Sequence, residues 1–189
     1  MTNIAIFASG NGSNAENIYK QTQDDNALNI SLIICNKPDA FVIQRAKNLN
    51  IPYKILNTKL LNDKNYFLSL LNEYKIDFIV LSGYLKLIPS FLIEKYPRKI
   101  VNIHPALLPK FGGKGMYGMA VHNAVIKNKE KESGITIHYV SEKYDDGEII
   151  FQTKCSVESN DTAESLAEKI HKLEYQHYPQ VIKSILSNN

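Results

Sequence analysis

Asn102 and His104 end the otherwise apolar run Ile100–His104. On a β-strand, side chains two positions apart share a face, so this amide and this imidazole point in the same direction. Pro105 restricts His104 to extended dihedrals and thereby fixes the direction of the ring. An amide N–H and a protonated imidazole both donate hydrogen bonds to a negative oxygen. The pair indicates an oxyanion site, although a lone histidine at a strand end is more often a structural group.

A glycine-rich turn, Gly10-Asn11-Gly12-Ser13-Asn14, follows the first apolar run and precedes a helical pattern. Glycines let the backbone approach a ligand closely, and unpaired N–H groups at a helix start bind anions. Ser13 and Glu16 also have the spacing of a capping box, which predicts that a helix begins here whatever the function. The turn therefore predicts a cradle for a phosphate group. A glycine turn that serves packing alone is the alternative.

The same glycine spacing fits the G-x-G-x-x-A fingerprint of dinucleotide-binding proteins, so an NAD(P)-dependent Rossmann oxidoreductase is a rival interpretation. That rival predicts an acidic residue at the end of the second strand, about twenty positions on, to bind the ribose hydroxyls. Asn36 and Lys37 occupy those positions instead. A non-catalytic nucleotide-binding regulator is a third interpretation, because it would use the phosphate turn without turnover.

Apolar runs alternate with amphipathic segments through the first hundred residues, which predicts an α/β fold with a doubly wound, mostly parallel sheet. The runs are continuous, as in strands that are covered on both faces. They comprise Ile4–Ala8, Leu32–Cys35 and Phe78–Leu81, separated by helical patterns at Ala40–Leu49 and Tyr66–Tyr74. Near the C-terminal end, Gly134–Val140 and Glu148–Val157 instead alternate faces, which predicts an antiparallel hairpin. No repeat or linker interrupts the chain, so one domain spanning 1–189 is expected.

Composition excludes several classes of protein. The 189 residues are 44% hydrophobic and 22% charged, as in soluble globular proteins. The net charge is only +3, from 22 basic and 19 acidic side chains, which does not indicate nucleic acid or a membrane surface as a partner. The five histidines and two cysteines lack the spacing of metal ligands, so no metal is expected. Two cysteines in apolar runs and the absence of a signal peptide indicate a cytoplasmic protein.

Three motifs lie far apart along the chain. They are Ser9-Gly10-Asn11-Gly12-Ser13-Asn14, Asn102-Ile103-His104-Pro105-Ala106-Leu107-Leu108-Pro109 and Tyr144-Asp145-Asp146-Gly147. In this order and spacing they resemble the phosphoribosylglycinamide formyltransferase family, and the similarity extends from about Asn3 to about Ser184. The resemblance implies a formyltransferase-like variant of the Rossmann fold. It also implies transfer of a formyl group from 10-formyltetrahydrofolate, as co-substrate, to the amine of 5-phosphoribosylglycinamide in de novo purine biosynthesis, by direct attack through a tetrahedral intermediate.

Carried over by position, the resemblance makes Asn102 the oxyanion donor and His104 the proton-transferring group. Asp145 becomes the carboxylate partner of His104, whose pKa it would raise by its opposite charge. The family's loop has one aspartate before two glycines, whereas this chain has two aspartates before one glycine. Asp146 is therefore the alternative to Asp145, and an ordinary acidic turn is the structural alternative to both.

The resemblance also assigns residues to the ribonucleotide. It places the phosphate on Gly12, Ser13 and Asn14, and the glycinamide amine on Glu174. Glu174 falls on an apolar stripe of the last helical segment, where a carboxylate requires a partner. The stripe comprises Ala167, Ile170, Tyr178 and Val181. A salt bridge from Glu174 to a neighbouring lysine is the alternative.

The resemblance also places the folate on the stretch that follows the fourth strand, with His138–Asp145 as side walls; a plain strand-to-helix connection is the alternative. Apolar side chains around a flat ring and backbone groups along its edge suit such a pocket. These folate-binding residues are Leu85, Lys86, Leu87 and Ile88, together with Asn102. The segment Gly112–Gly118 holds four of the nine glycines and predicts a mobile loop that closes over the substrates, without a named catalytic role. The expected partners are small molecules, and the protein is expected to be a monomer or a weak homodimer.

Overall fold

Seven strands and seven helices make up the computed structural model, which describes residues 1–187. The strands are β1 (Thr2–Ala8), β2 (Leu28–Cys35), β3 (Tyr53–Ile55), β4 (Phe78–Leu81), β5 (Ile100–His104), β6 (Glu132–Tyr139) and β7 (Ile149–Ser156). The helices are α1 (Ser13–Thr22), α2 (Val42–Asn48), α3 (Thr58–Asn62), α4 (Lys64–Glu73), α5 (Ser90–Lys95), α6 (Met119–Lys127) and α7 (Ala163–Ser187). Residues 188 and 189, the last two of the predicted domain, lie outside the described residues.

The sheet has the strand order β3-β2-β1-β4-β5-β6-β7. Strand pairing is parallel between β1 and β2, between β1 and β4, and between β2 and β3, and it is antiparallel between β6 and β7. The order runs outward from β1 in both directions, which is the topology of a doubly wound sheet. The prediction of an α/β fold with a mostly parallel sheet and an antiparallel hairpin near the C-terminal end is therefore confirmed.

The chain divides into two compact units, Met1–Val101 and Asn102–Asn189. In the first unit, β1 and β4 lie side by side at the centre. Ile4–Ala8 are fully buried and Phe78–Leu81 are at most 5% exposed. This burial explains why both strands are continuous apolar runs, since each is covered on both faces. The expectation of a single domain stays a prediction.

The two strands of the C-terminal hairpin differ in burial, although both sequences predict alternating faces. Residues of β7 alternate between more and less exposed, whereas Ser133–His138 of β6 are all buried. In the sheet, β6 lies between two strands, and it also contacts α7. The helix covers those side chains of β6 that an alternating pattern would expose to solvent. The prediction of alternation is therefore wrong for β6. As a result, the polar side chains of Thr136 and His138 are buried.

Helix α7 carries one buried stripe with helical spacing. Its buried residues include Ala163, Leu166, Ile170, Glu174, Tyr178, Ile182 and Ile185. Ala167 and Val181, which the sequence pattern places on the stripe, are only half-buried, because Leu166 and Ile182 face the core instead. Glu174 does lie on the stripe and is 7% exposed.

Candidate active site

The carboxyl end of β5 carries a buried imidazole beside a more accessible amide. His104 is 3% exposed, and Asn102 is half-buried. The chain that follows is held by Thr136 of β6, whose Oγ1 donates to Ala106 O at 2.7 Å and accepts from Leu108 N at 3.0 Å. These bonds are buried and therefore shielded from competing water. They fix the path of the chain directly after His104.

Asp145 approaches the end of β5 from the loop between β6 and β7. Its backbone is left-handed, with φ 53°, a conformation that aspartate tolerates better than most residues but that still costs energy. Gly147 lets this loop pack closely, because a Cβ there would lie 1.7 Å from Tyr139 O. The loop thus holds Asp145 against the end of β6.

Asp145 contacts both predicted catalytic side chains. Its Oδ2 lies 3.4 Å from His104 Nδ1, and its Oδ1 accepts a hydrogen bond from Asn102 Nδ2 at 3.4 Å. The side chain of Asp146, in contrast, is 61% exposed and lies 3.9 Å from Lys143 Nζ. The structure therefore brings Asn102, His104 and Asp145 together and leaves Asp146 outside the cluster.

The glycine-rich segment Gly112–Gly118 and the residue before it contact the cluster through their backbone. Gly113 N donates to Asp145 Oδ2 at 3.0 Å. Phe111 O accepts from His104 Nε2 at 2.8 Å, and Phe111 has φ 55°, which is unusual for a bulky residue. Residue types do not reveal such contacts, because every residue has the same backbone groups. The sequence therefore predicts the loop but not these two bonds.

Burial is the main influence on the protonation of His104. It outweighs the two acceptors that favour the protonated ring, the Asp145 carboxylate and the Phe111 carbonyl, and it leaves the pKa of His104 below its ordinary value. The expectation that this pKa is raised is therefore wrong for the net effect. Burial is also the largest effect on Asp145 and raises its pKa. The neighbouring imidazoles of His138 and His104, together with the Gly113 N–H, outweigh it, so that the pKa of Asp145 lies below its ordinary value.

His138 belongs to the catalytic cluster, whereas the sequence resemblance places it only in a side wall of the folate pocket. The residue is 2% exposed, and its Nε2 lies 3.1 Å from Asn102 Nδ2 and 3.7 Å from Asp145 Oδ1. Its Nδ1 lies 2.8 Å from Tyr139 O. The sequence does contain a signal, because His138 lies on a predicted hairpin strand that ends shortly before the loop Tyr144–Gly147. A side chain at that strand end is expected to lie near the loop.

In the first unit, the glycine-rich turn leads into α1 as predicted. Gly12 is the N-cap residue with φ 73°, and a Cβ there would lie 2.4 Å from Val42 Cγ2. Only glycine fits this position without displacing α2. The predicted capping box of Ser13 and Glu16 is wrong, because the helix begins at Ser13 itself and Glu16 pairs with Arg45. Gly12 provides no side-chain cap at the start of α1, the end of a helix at which anions bind.

Arg45 of α2 braces this turn, which the sequence did not indicate. Its Nε donates to Asn11 O at 2.9 Å, and its Nη2 donates to Asn11 Oδ1 at 2.8 Å. Its Nη1 donates to the carboxylate of Glu16 in the first turn of α1. Val42 N adds a hydrogen bond to Gly10 O at 3.1 Å. Helix α2 therefore holds both the turn and the helix start.

The glycine turn and the predicted folate stretch meet at the carboxyl ends of β1 and β4. Ser9 N donates to Gly83 O at 3.1 Å, and Ser9 Oγ accepts from Leu85 N at 2.9 Å. Ser9 Oγ also donates to Asn36 Oδ1 at 2.6 Å, so Asn36 has a partner within the fold. Of the predicted folate residues, Leu85 is half-buried, Lys86 and Leu87 are exposed, and Ile88 is buried. Open α/β sheets bind ligands where the strand order reverses, which is between these two strands.

Glu174 lies in the second unit, on the buried stripe of α7. Its Oε2 lies 3.7 Å from His171 Nε2. Burial, and then the charge of Glu174, raise the pKa of Tyr178 well above its ordinary value. The carboxylate thus faces the buried side of α7. A contact with a substrate amine and a salt bridge to a lysine both stay predictions.

Within residues 1–187, no three histidine, cysteine, aspartate or glutamate side chains are grouped so that they could hold a metal ion. Across the same part of the chain, every helix is too short or too polar to cross a lipid bilayer. Cys35 and Cys155 are both free thiols.

Known proteins that are similar to this chain are named as formyltransferases. The formyl transferase family model matches residues 2–182. Phosphoribosylglycinamide formyltransferase of Bacillus subtilis is 40% identical, and the match covers 100% of this chain and 97% of that protein. The chloroplastic phosphoribosylglycinamide formyltransferase of Arabidopsis thaliana is 40% identical over 96% of this chain, which spans 64% of the plant protein. The crystal structure of phosphoribosylglycinamide formyltransferase from Bacillus halodurans is 40% identical, with a TM-score of 0.87, and the match covers 98% of this chain and 96% of that chain.

Proposed function

Because this chain belongs to the formyl transferase family, we infer that it transfers a formyl group from 10-formyltetrahydrofolate to the amine of 5-phosphoribosylglycinamide. This reaction is a step of de novo purine biosynthesis. The observation that carries the mechanism is the cluster in which Asp145 lies 3.4 Å from both Asn102 Nδ2 and His104 Nδ1. An amide donor, an imidazole and a carboxylate are the groups that an acyl transfer uses around one carbon atom.

The reaction begins when the amine of the ribonucleotide attacks the formyl carbon. A carbon–nitrogen bond forms, the carbonyl double bond opens, and its oxygen becomes negative. Asn102 Nδ2 donates a hydrogen bond to this oxygen. The intermediate collapses when the carbonyl re-forms and the bond from the carbon to the folate nitrogen breaks. The attacking amine loses one proton and the folate nitrogen gains one, without a covalent bond to the enzyme.

His104 is suited to take the proton of the amine, because its lowered pKa leaves the ring neutral near pH 7. Once protonated, the ring is stabilised by Asp145, whose own lowered pKa keeps the carboxylate ionised. For this step the hydrogen of the neutral ring lies on Nδ1, beside Asp145 Oδ2, and Nε2 turns from Phe111 O to the substrate. Nε2 then takes the amine proton and donates it to the leaving folate nitrogen. This change of partner requires movement at Phe111, next to the predicted mobile loop Gly112–Gly118.

The ribonucleotide is bound through its phosphate at one end and its amine at the other. Its phosphate binds at the start of α1, on Gly12, Ser13 and Asn14, where a ten-residue helix directs N–H groups and the positive end of its dipole toward an anion. Arg45 keeps the turn in this geometry. Glu174 accepts a hydrogen bond from the neutral glycinamide amine, because a carboxylate that is 7% exposed is stabilised by hydrogen-bond donors.

The folate binds along Leu85, Lys86, Leu87 and Ile88, with Asn102 at its formyl end. Leu85 N already donates to Ser9 Oγ, so this stretch has a fixed start at the end of β4. The buried Ile88 and the half-buried Leu85 provide apolar surface for a flat ring.

The chain acts as a single-domain, cytoplasmic enzyme on these two small molecules. The small net charge of +3 supports partners other than nucleic acid or an anionic membrane. The proposed state is a monomer or a weak homodimer, which gel filtration combined with light scattering measures directly. The proposed chemistry assigns no step to a metal ion.

Turnover of the folate tests the function. The purified protein is mixed with 10-formyltetrahydrofolate and glycinamide ribonucleotide, and release of the deformylated folate is followed by absorbance. We expect release that depends on the ribonucleotide, and a loss of about a hundredfold in Asn102→Ala, the size expected for a removed oxyanion donor. Quenching of NADH fluorescence without folate turnover would support the oxidoreductase. Phosphate binding without any turnover would support the regulator.

A further inference from the structure

His138 lies inside the catalytic cluster but takes no step in the mechanism above. It is 2% exposed, and it is closer to Asn102 Nδ2 than Asp145 is, at 3.1 Å against 3.4 Å. Its second ring nitrogen lies 2.8 Å from Tyr139 O. A buried ring with hydrogen bonds at both nitrogens has a defined orientation, because low polarity strengthens both bonds.

The two partners determine which nitrogen of His138 carries the proton. A carbonyl oxygen only accepts, so Nδ1 donates to Tyr139 O. An amide nitrogen only donates, so Nε2 is the unprotonated acceptor of the bond from Asn102 Nδ2. His138 is therefore the neutral tautomer with its hydrogen on Nδ1. Gly147 supports this arrangement, since the absence of a Cβ leaves room for Tyr139 O.

The same contacts determine the orientation of the Asn102 carboxamide. Its Nδ2 has two hydrogens, one directed to His138 Nε2 and the other to Asp145 Oδ1. The Asp145 carboxylate only accepts and would repel Asn102 Oδ1, so the NH2 end of Asn102 faces the cluster. With both hydrogens engaged, one bond must be exchanged before Asn102 can donate to the formyl oxygen. The bond to Asp145 is the longer of the two.

We propose that His138 is a positioning residue that holds the NH2 end of Asn102 in place while Asn102 exchanges its bond to Asp145 for one to the formyl oxygen. The proposal rests on the proposed formyl transfer. During this exchange Asp145 keeps the hydrogen bond from Gly113 N and its contact with His104. The exchange therefore leaves no buried carboxylate without partners.

A pair of substitutions separates the acceptor from the volume of the ring. His138→Leu removes the acceptor, whereas His138→Gln places an amide oxygen near the position of Nε2 and can still accept from Asn102. We expect kcat of His138→Leu to fall by about tenfold to a hundredfold, with both KM values within about twofold, because a misplaced donor affects the transition state more than binding. His138→Gln is expected to keep most of kcat. Equal losses of kcat in the two variants would overturn the proposal.

A double substitution tests whether His138 acts through Asn102. In the background of Asn102→Ala, His138→Leu is expected to cost less than about twofold in kcat, because the amide that it orients is gone. A further loss as large as that in the wild type would show that His138 acts independently, and would refute the proposal. Thermal unfolding of each variant shows whether the assay temperature lies below its melting point.

The tautomer is measurable without turnover. Nitrogen NMR of the histidine side chains of the wild-type protein, with His138 assigned by comparison with His138→Gln, reports which ring nitrogen is protonated. We expect the hydrogen on Nδ1 and none on Nε2. Hydrogen on Nε2 would contradict the proposed bond to Asn102. Failure of the wild type to transfer a formyl group would refute the proposed function, and this NMR result would still stand.

Discussion

Replacing Asp145 with asparagine removes the negative charge from the cluster and keeps the size of the side chain. In the structure this charge faces His104 Nδ1 at 3.4 Å, and the same carboxylate accepts from Gly113 N at 3.0 Å and from Asn102 Nδ2 at 3.4 Å. The substitution therefore weakens the stabilisation of a protonated His104. It also replaces one of the two carboxylate oxygens, which accept from Gly113 N and from Asn102 Nδ2, with an NH2 group.

The contacts determine the size of the expected effect. An opposite charge at this distance stabilises a protonated imidazole by roughly 1–4 kcal/mol. A loss of that size slows the reaction by roughly tenfold to a thousandfold. The asparagine oxygen can face either Gly113 N or Asn102 Nδ2 but not both, so one donor loses its acceptor. We therefore expect kcat of Asp145→Asn to fall by about a hundredfold or more.

Asp146→Asn is the matched control, since it makes the same chemical change one residue away. Its side chain is 61% exposed and its pair with Lys143 spans 3.9 Å. Exposed ion pairs contribute about 0–1 kcal/mol, so we expect less than about a twofold change in kcat. The assay is ribonucleotide-dependent release of the deformylated folate under saturating substrates. A larger loss in Asp146→Asn than in Asp145→Asn would refute the assignment of the carboxylate.

Three other variants probe the elements around the sites. A lysine cannot reproduce the forked contact of Arg45 with Asn11, so in Arg45→Lys the KM for the ribonucleotide should rise about fivefold to tenfold while the KM for the folate is unchanged. A ribonucleotide KM equal to that of the wild type in steady-state assays would contradict this. Gly147→Ala forces a Cβ to within 1.7 Å of Tyr139 O, so calorimetry should show a loss of about 1–3 kcal/mol and kcat should fall; a normal melting point would contradict the packing argument. His122 is buried, and its Nδ1 has no hydrogen-bond partner among the described residues. Burial disfavours the charged ring and lowers the pKa of His122. The contribution of the neutral ring to stability is therefore complete above about pH 6.5 and is lost as the pH falls. Urea unfolding of His122→Leu should therefore show a smaller loss of stability from pH 7 to pH 5 than the wild type, and an identical loss would refute this.

Much of the fold could be predicted because its strands are chemically simple. The continuous apolar runs of β1 and β4 have few other interpretations, and both strands are buried on both faces as predicted. β6 differs because its neighbours bury Thr136 and His138, which a pattern within one strand cannot reveal. Burial of the polar side chains in β6 depends on contact with α7, which is distant in sequence.

The site could be predicted only in part, for a similar reason. The shared face of Asn102 and His104 follows from their spacing on a strand, but their meeting with Asp145 depends on a loop more than forty residues away, as the sequence separation of 43 shows. The contact at Phe111 uses a backbone carbonyl, which no residue type indicates. The lowered pKa of His104 depends on how deeply the ring is buried, so the charge of Asp145 alone predicts the wrong direction.

The fate of the formyl group tests the proposed reaction most directly. The protein is incubated with 10-formyltetrahydrofolate that carries an isotopic label in its formyl group, together with glycinamide ribonucleotide, and the products are identified by mass spectrometry. We expect the label on the amine of the ribonucleotide, in an amount equal to the folate that is deformylated, and strongly reduced in His104→Ala. Label that appears as free formate at a rate independent of the ribonucleotide would contradict the account.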